Sequence, residues 1–112
     1  MEQVLFPFDP AFPQYALARQ QMSGACGLMT MILKADSAQQ IETFCEKLKH
    51  ILIAVSWGGH ESLVIPLCAG VGKKDFNASN PEHRIVRLYV GLEDAAYIIA
   101  DLEQAFEAII VK

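Results

Sequence analysis

The stretch Ile85-Val86-Arg87-Leu88-Tyr89-Val90-Gly91-Leu92-Glu93-Asp94 decides the fold class. Its first six residues are apolar or aromatic around one arginine and predict a central β-strand, which Gly91 ends. The acidic pair Glu93-Asp94 follows, and carboxylates stabilise the amino end of a helix. A helical apolar stripe then comes from Ala95, Ile98, Ile99, Leu102, Ala105, Phe106 and Ile109. The stretch therefore predicts a strand that passes through a short turn into an amphipathic helix.

The chain before this stretch interleaves strands and helices in the same way. Ser37 and Gln40 have capping-box spacing and predict the start of a second helix, whose apolar positions follow at i, i+3, i+4 and i+7. A short strand is predicted at 62–68, and Pro66 within it favours a position at the edge of the sheet. A further helix is predicted at 14–22, further strands at 27–33 and 51–55, and a loop at 70–83. The expected fold class is α/β (α+β), a small two-layer sandwich with a mostly antiparallel sheet and helices on one face.

The length and composition indicate one domain. The chain has 112 residues, 53% of them hydrophobic, and a formal net charge of −4, which suits a single folded unit with a substantial core. We expect an extended lead-in at 1–13 and one domain at 14–112, with the three phenylalanines of the lead-in (Phe6, Phe8, Phe12) left uncovered. The acidic balance argues against nucleic acid as a partner, and no apolar stretch is long enough to span a membrane. Three cysteines without paired spacing are expected to be reduced thiols at core positions of a cytoplasmic protein.

A Ser-Trp-Gly-Gly turn is the first candidate site. It opens the segment Ser56-Trp57-Gly58-Gly59-His60-Glu61-Ser62-Leu63, directly after the strand predicted at 51–55. Paired glycines let the backbone turn and expose N–H groups, and with the Ser56 hydroxyl these suit an anionic oxygen. The alternative to an anion-binding turn is a purely structural turn, with the Trp57 side chain buried in the core.

Arg87 is the second candidate. Arginine is rarely buried unless it is paired, and its planar fork matches a carboxylate bidentately. Arg84 lies closer to the loop and is expected to be the more solvated of the two. The alternative for Arg87 is an outward-facing strand residue, or a partner of Glu61 or Glu93. No metal site is expected, because His50, His60 and His83 lack ligand spacing.

The two candidates lie in motifs that resemble a known family. Ser-Trp-Gly-Gly-x-Glu-Ser-Leu, Ile-Val-Arg-Leu-Tyr-Val-Gly-Leu-Glu-Asp and Ile-Ile-Ala-Asp-Leu-Glu-Gln-Ala-Phe are similar to the C-terminal domain of the Cys/Met-metabolism pyridoxal-phosphate enzymes, such as cystathionine lyases, cystathionine γ-synthase and methionine γ-lyase. The family commonly has Arg-Leu-Ser-Val-Gly where this chain has Arg87-Leu88-Tyr89-Val90-Gly91. The tryptophan variant resembles bacterial cystathionine β-lyases. The segment after Ser62-Leu63 departs from the family pattern, which argues against the γ-lyase and γ-synthase subgroups.

The resemblance implies a function for each matched residue. Arg87 corresponds to the arginine that binds the substrate α-carboxylate, Ser56 to the serine beside it, and Trp57 to that serine's neighbour. The resemblance implies pyridoxal phosphate as cofactor, a sulfur amino acid such as cystathionine or methionine as substrate, and a homo-oligomer, usually a tetramer. In the family, the lysine that anchors the cofactor lies in an upstream domain, and nothing here has its sequence context.

We therefore expect this chain to be a C-terminal fragment of a carbon–sulfur lyase or transsulfuration enzyme, and to be inactive when isolated. Two other functions stay open. One is a stand-alone module that binds a small amino acid or regulates in response to it, and the other is an oligomerisation domain without a ligand. Whether the reaction is β- or γ-elimination or replacement is left open by the sequence.

Overall fold

A five-stranded sheet and three α-helices form the fold of the computed structural model, which describes residues 1–110. The strands are β1 (Gln3–Leu5), β2 (Leu28–Ile32), β3 (Leu52–Ile53), β4 (Leu63–Pro66) and β5 (Ile85–Tyr89). The helices are α1 (Tyr15–Gln21), α2 (Ala38–Lys47) and α3 (Ala95–Glu107), and short 3₁₀ helices lie at Leu67–Gly70 and Pro81–Arg84. The mixed α/β class expected from the sequence is confirmed.

The sheet has the order β1-β2-β5-β4-β3, so β5 is central as expected. The three pairings β1–β2, β2–β5 and β4–β5 are antiparallel, and only β3–β4 is parallel. Residues 3–5 of the expected lead-in form an edge strand of this sheet. The expectation that Pro66 marks an edge strand is wrong, because β4 lies between β5 and β3. Pro66 is tolerated there because β3 pairs only with Leu63 and Val64.

The two faces of the sheet differ in burial. Val86 and Leu88 of β5 are buried on the helix side, with Met31 of β2 and Val64 of β4. They belong to one core cluster with Phe44 of α2 and with residues of α3, and the rings of Phe44 and Phe106 lie 4.5 Å apart. Ile85, Arg87 and Tyr89 alternate with the buried positions and are only partly covered. The opposite face of the sheet is therefore open around Arg87.

Local signals set the helix starts. The Ser37 hydroxyl accepts the Gln40 N–H at 3.3 Å, while the Gln40 side chain accepts the Asp36 N–H at 2.6 Å. This is the expected capping box with one difference: the Gln40 side chain accepts from Asp36, the residue before the N-cap, and not from the N-cap Ser37 itself. The Asp94 carboxylate accepts the Ala96 N–H at 3.2 Å and caps α3. These caps fix where α2 and α3 begin relative to the sheet.

The exposed apolar surface lies elsewhere than the sequence predicted. The three phenylalanines expected to be uncovered are all partly buried. The Arg19 guanidinium lies over the Phe8 ring, 5.2 Å from its centre. Large apolar side chains are instead exposed around β3 and the segment after it: Leu52, Ile53, Val55 and Trp57. The expectation of an extended, uncovered lead-in is wrong: the Asp9 N–H donates to the Phe6 carbonyl and the Phe12 N–H to the Asp9 carbonyl, so this segment forms consecutive turns.

Candidate functional site

Arg87 occupies the centre of the open sheet face. It lies opposite Thr30 of β2 and Ile65 of β4, and its guanidinium reaches past β4 to donate through Nη2 to the Val55 carbonyl. Within residues 1–110, no carboxylate forms an ion pair with Arg87. Four of its five N–H donors therefore have no acceptor within that part of the chain, and they form a fork suited to an anionic oxygen pair.

The two carboxylates considered as partners of Arg87 are engaged elsewhere. Glu61 Oε1 lies 3.5 Å from the Nε2 atom of its neighbour His60. Glu93 accepts two hydrogen bonds from Ser62. The alternative that Arg87 pairs with Glu61 or Glu93 is therefore wrong, whereas the alternative of an outward-facing strand residue agrees with its place on the open sheet face.

The segment Ser56–Glu61, here called the glycine loop, begins one residue after the carbonyl that Arg87 contacts. Gly58 has φ +97°, a conformation that favours glycine, so the turn expected from the paired glycines is present. Among the described residues, no backbone N–H of the glycine loop donates to another group of the chain. Ser56 is solvent-exposed. The loop thus presents free N–H groups and a hydroxyl beside Arg87.

Trp57 is half-exposed at 50%, so the alternative that it plugs the core is wrong. Its ring lies 6.3 Å from the ring of Tyr89, tilted by 46°. The Tyr89 hydroxyl donates to the Gly59 carbonyl at 3.1 Å. Because Tyr89 and Arg87 are two residues apart on one face of β5, the aromatic pair borders the guanidinium.

Ser62 and Glu93 anchor the end of the glycine loop, a pairing that the sequence did not predict. Glu93 accepts the Ser62 N–H at 2.8 Å on one oxygen and the Ser62 hydroxyl at 2.5 Å on the other. The Ser62 oxygen in turn accepts the Gly91 N–H at 2.9 Å. The hydroxyl and N–H of Ser62 lower the pKa of Glu93, so the carboxylate stays charged. Both residues lie inside the quoted motifs, which was the signal available for finding them.

Arg84 lies at the other end of β5, in a separate cleft of about 690 Å³. The expectation that it is the more solvated arginine is wrong, because it is only 7% exposed. Its Nη1 atom donates to Glu2 and to the Leu33 carbonyl, and the hydrogen bond from Arg84 lowers the pKa of Glu2. Arg87, Ser56 and Trp57 do not line this cleft, so the two arginines belong to different sites.

Metal-ligand clusters, membrane-spanning helices and activated lysines are three further features that bear on function. Within 1–110, no cluster of three or more His, Cys, Asp or Glu side chains is placed to bind a metal ion, and no helix is long and apolar enough to cross a membrane. Lys34, Lys47, Lys49, Lys73 and Lys74 are all exposed to solvent. A lysine that anchors a cofactor covalently is activated by desolvation or by a neighbouring cation, and these exposed lysines do not fit that requirement.

The fold and the site define an α+β domain whose open sheet face carries an arginine without an ion pair among residues 1–110. The family model described as "Cys/Met metabolism PLP-dependent enzyme" matches residues 1–107. The chain belongs to this family, as the sequence motifs predicted.

Named relatives cover almost the whole chain. Cystathionine gamma-lyase of Bos taurus is 39% identical over 112 residues, which is 96% of this chain. L-methionine gamma-lyase of Treponema denticola is 36% identical over 98% of the chain, and a putative cystathionine beta-lyase of Rhizobium johnstonii is 33% identical over 94%. The chain spans only about a quarter of their length, 27% of the bovine and Rhizobium relatives and 28% of the Treponema relative. Relatives with β-lyase and γ-lyase names both match, so they do not decide between the two reactions.

Proposed function

We propose that this chain supplies the substrate α-carboxylate site of a pyridoxal-phosphate-dependent carbon–sulfur lyase or transsulfuration enzyme. The observation that carries the proposal is the placement of Arg87, which has no carboxylate partner in the described chain and lies beside the glycine loop. The matched family and the names of its members support the reaction class.

Arg87 would clamp the substrate carboxylate by two parallel N–H···O bonds. The bond from Nη2 to the Val55 carbonyl holds the guanidinium plane in place before the substrate arrives, so less conformational entropy is lost on binding. The Ser56 hydroxyl and the free N–H groups of the glycine loop would contact the carboxylate from the other side. A carboxylate held at both oxygens fixes the orientation of the amino acid and therefore of the bond to be broken.

Trp57 would form a wall of this pocket. Its indole is half-exposed and lies against Tyr89, where it can exclude water from the ion pair between Arg87 and the substrate. Loss of water strengthens a charge-assisted hydrogen bond, because the local dielectric constant falls.

The cofactor would be bound by residues outside this stretch. The exposed lysines described above do not fit its anchoring, so no step through the cofactor is assigned to this chain. In the whole protein, an upstream domain of the same polypeptide would bind pyridoxal phosphate, which acts as the electron sink in such reactions. Further proposals are a cystathionine- or methionine-like substrate, a homotetramer, and a cytoplasmic setting in which Cys26, Cys45 and Cys68 remain free thiols.

The test is Arg87→Lys in the polypeptide that includes the upstream residues. Lysine keeps the charge but replaces a bidentate fork by a single ammonium, so KM for L-cystathionine should rise by about tenfold or more. Arg19→Lys is the matched control, because the Arg19 guanidinium contacts the Phe8 ring and is not among the contacts of Arg87 or the glycine loop, and its KM should not change. An unchanged KM for Arg87→Lys would contradict the assignment.

The isolated chain provides a second test. It should bind L-methionine weakly through Arg87, and pyridoxal phosphate should not develop the visible absorbance band of a lysine-bound cofactor. Tight binding of L-methionine by the isolated chain would favour the stand-alone amino-acid-binding module instead.

A further inference from the structure

Tyr89 joins the central strand to the middle of the glycine loop. Its hydroxyl donates to the Gly59 carbonyl at 3.1 Å, and its ring lies 6.3 Å from that of Trp57. Both contacts leave from the same face of β5 that carries Arg87, two residues earlier. One side chain therefore contacts two parts of the loop that borders the guanidinium.

The middle of the glycine loop has few other attachments. Before it, Arg87 contacts the Val55 carbonyl. After it, the His60 carbonyl accepts the Leu92 N–H at 2.9 Å. Gly58 and Gly59 lie between these points, and a Cβ atom added to either would meet nothing within 4 Å. Paired glycines with open space around their Cα atoms give the backbone a wide choice of conformations, so the contacts from Tyr89 restrict this part of the loop most directly.

We propose that Tyr89 is a positioning residue, which holds Trp57 and the Gly58–Gly59 turn in place beside Arg87. Its effect on ligand binding rests on the proposed function, because the loop would contact the carboxylate that Arg87 binds.

Trp57 makes the proposal testable, because it is the only tryptophan of the chain and its fluorescence reports on the loop alone. Tyr89→Phe removes the hydrogen bond and keeps the ring, while Tyr89→Ser removes both contacts. Tyr97→Phe is the control, since the Tyr97 hydroxyl contacts His50 Nδ1 at 2.6 Å outside the site. Each variant of this chain is first compared with the wild type in thermal unfolding.

Freeing the loop should increase acrylamide quenching of Trp57 by about twofold in Tyr89→Phe, and further in Tyr89→Ser. Tyr97→Phe should leave the quenching unchanged. The affinity for L-methionine, measured by NMR titration, should fall on the order of fivefold in Tyr89→Phe, as expected for one lost hydrogen bond. Equal quenching in wild type and in both Tyr89 variants would overturn the positioning role.

An Arg87→Lys titration separates this proposal from the proposed function. If Arg87→Lys weakens L-methionine binding and Tyr89→Phe does not, the carboxylate site stands and the role of Tyr89 is wrong. If Arg87→Lys binds L-methionine like the wild type, the carboxylate assignment fails, and the quenching data still decide whether Tyr89 holds the loop.

Discussion

The Glu93 carboxylate holds Ser62 at both of its oxygens, and this pair joins the turn before α3 to the end of the glycine loop. Ser62 is only 1% exposed, so among the described residues its O–H and N–H donors would lack an acceptor without Glu93. The same hydroxyl oxygen accepts the Gly91 N–H. Through Ser62, the Glu93 carboxylate thus links the end of the glycine loop to the turn that follows β5, the strand that carries Arg87.

Glu93→Gln should destabilise the domain by about 1–2 kcal/mol, because a neutral amide replaces a charged acceptor and turns an N–H₂ group toward one of the two Ser62 donors. Thermal or urea unfolding of the chain measures the effect. Glu103→Gln, on the exposed side of α3, is the matched control and should unfold like the wild type. Equal stability of the two variants would mean that the pair contributes little.

The three cysteine thiols should differ in their reactivity toward a thiol reagent, because they differ in burial. Cys26 is exposed, whereas Cys45 and Cys68 are buried, which corrects the expectation that every cysteine is a core residue. Burial raises the pKa of Cys45 to about 12 and also raises that of Cys68. The thiolate is the reactive form, so a thiol reagent at pH 8 should modify Cys26 rapidly and the other two only after unfolding. Equal rates for Cys26→Ser and wild type would contradict this assignment.

The elements predicted well from sequence are those whose pattern depends on neighbouring residues alone. Alternation along β5 and the cap at Ser37 are local, because a period of two or a cap three residues away needs no knowledge of the fold. The 51–55 strand was predicted too long, since only Leu52 and Ile53 pair with β4. Leu52 and Ile53 are about half-exposed on this edge strand.

The residues of the candidate site could be named from local sequence motifs, but the contacts between distant residues could not. The motifs pointed to Arg87, Ser56 and Trp57. In the structure the Arg87 guanidinium donates to the carbonyl of Val55, the residue directly before Ser56. The partners of Arg84 could not be predicted, since Glu2 lies 82 positions away in the chain. Nor could the bond from Tyr89 to Gly59, because it depends on how the loop folds back across the sheet.

Gly91→Ala should disturb the connection between β5 and α3. A Cβ atom at this position would lie 2.3 Å from the His60 carbonyl oxygen and 2.7 Å from the Glu61 carbonyl carbon. Both are backbone atoms, so relief requires the loop to move, at a cost of about 1–3 kcal/mol or more. Gly59→Ala is the matched control, because its Cβ atom would meet nothing within 4 Å. The two variants should therefore differ clearly in denaturant unfolding, and similar midpoints would show that the close approach at Gly91 is easily relieved.

Asp101 should make the stability of the domain depend on acid pH. It is 2% exposed on α3 and accepts the backbone N–H groups of Lys49, His50 and Ile51 at 2.8–3.0 Å. Burial by itself would raise the pKa of Asp101, but these donors and the Gln104 amide outweigh it and lower the pKa below the ordinary value of 3.8.

A carboxyl group with a lowered folded-state pKa stabilises the fold above its unfolded pKa, and this contribution is lost as the pH falls through the folded value. The free energy of unfolding should therefore decrease below about pH 4. Asp101→Asn should cost about 3 kcal/mol at pH 7, because the amide leaves buried N–H donors without a full acceptor, and the acid dependence should be weaker in the variant. Urea unfolding from pH 7 to pH 3 measures both effects, with Asp75→Asn in the exposed loop as control. If Asp101→Asn keeps the full acid dependence of the wild type, the titration belongs to other carboxyl groups, among which Glu93 also has a lowered pKa.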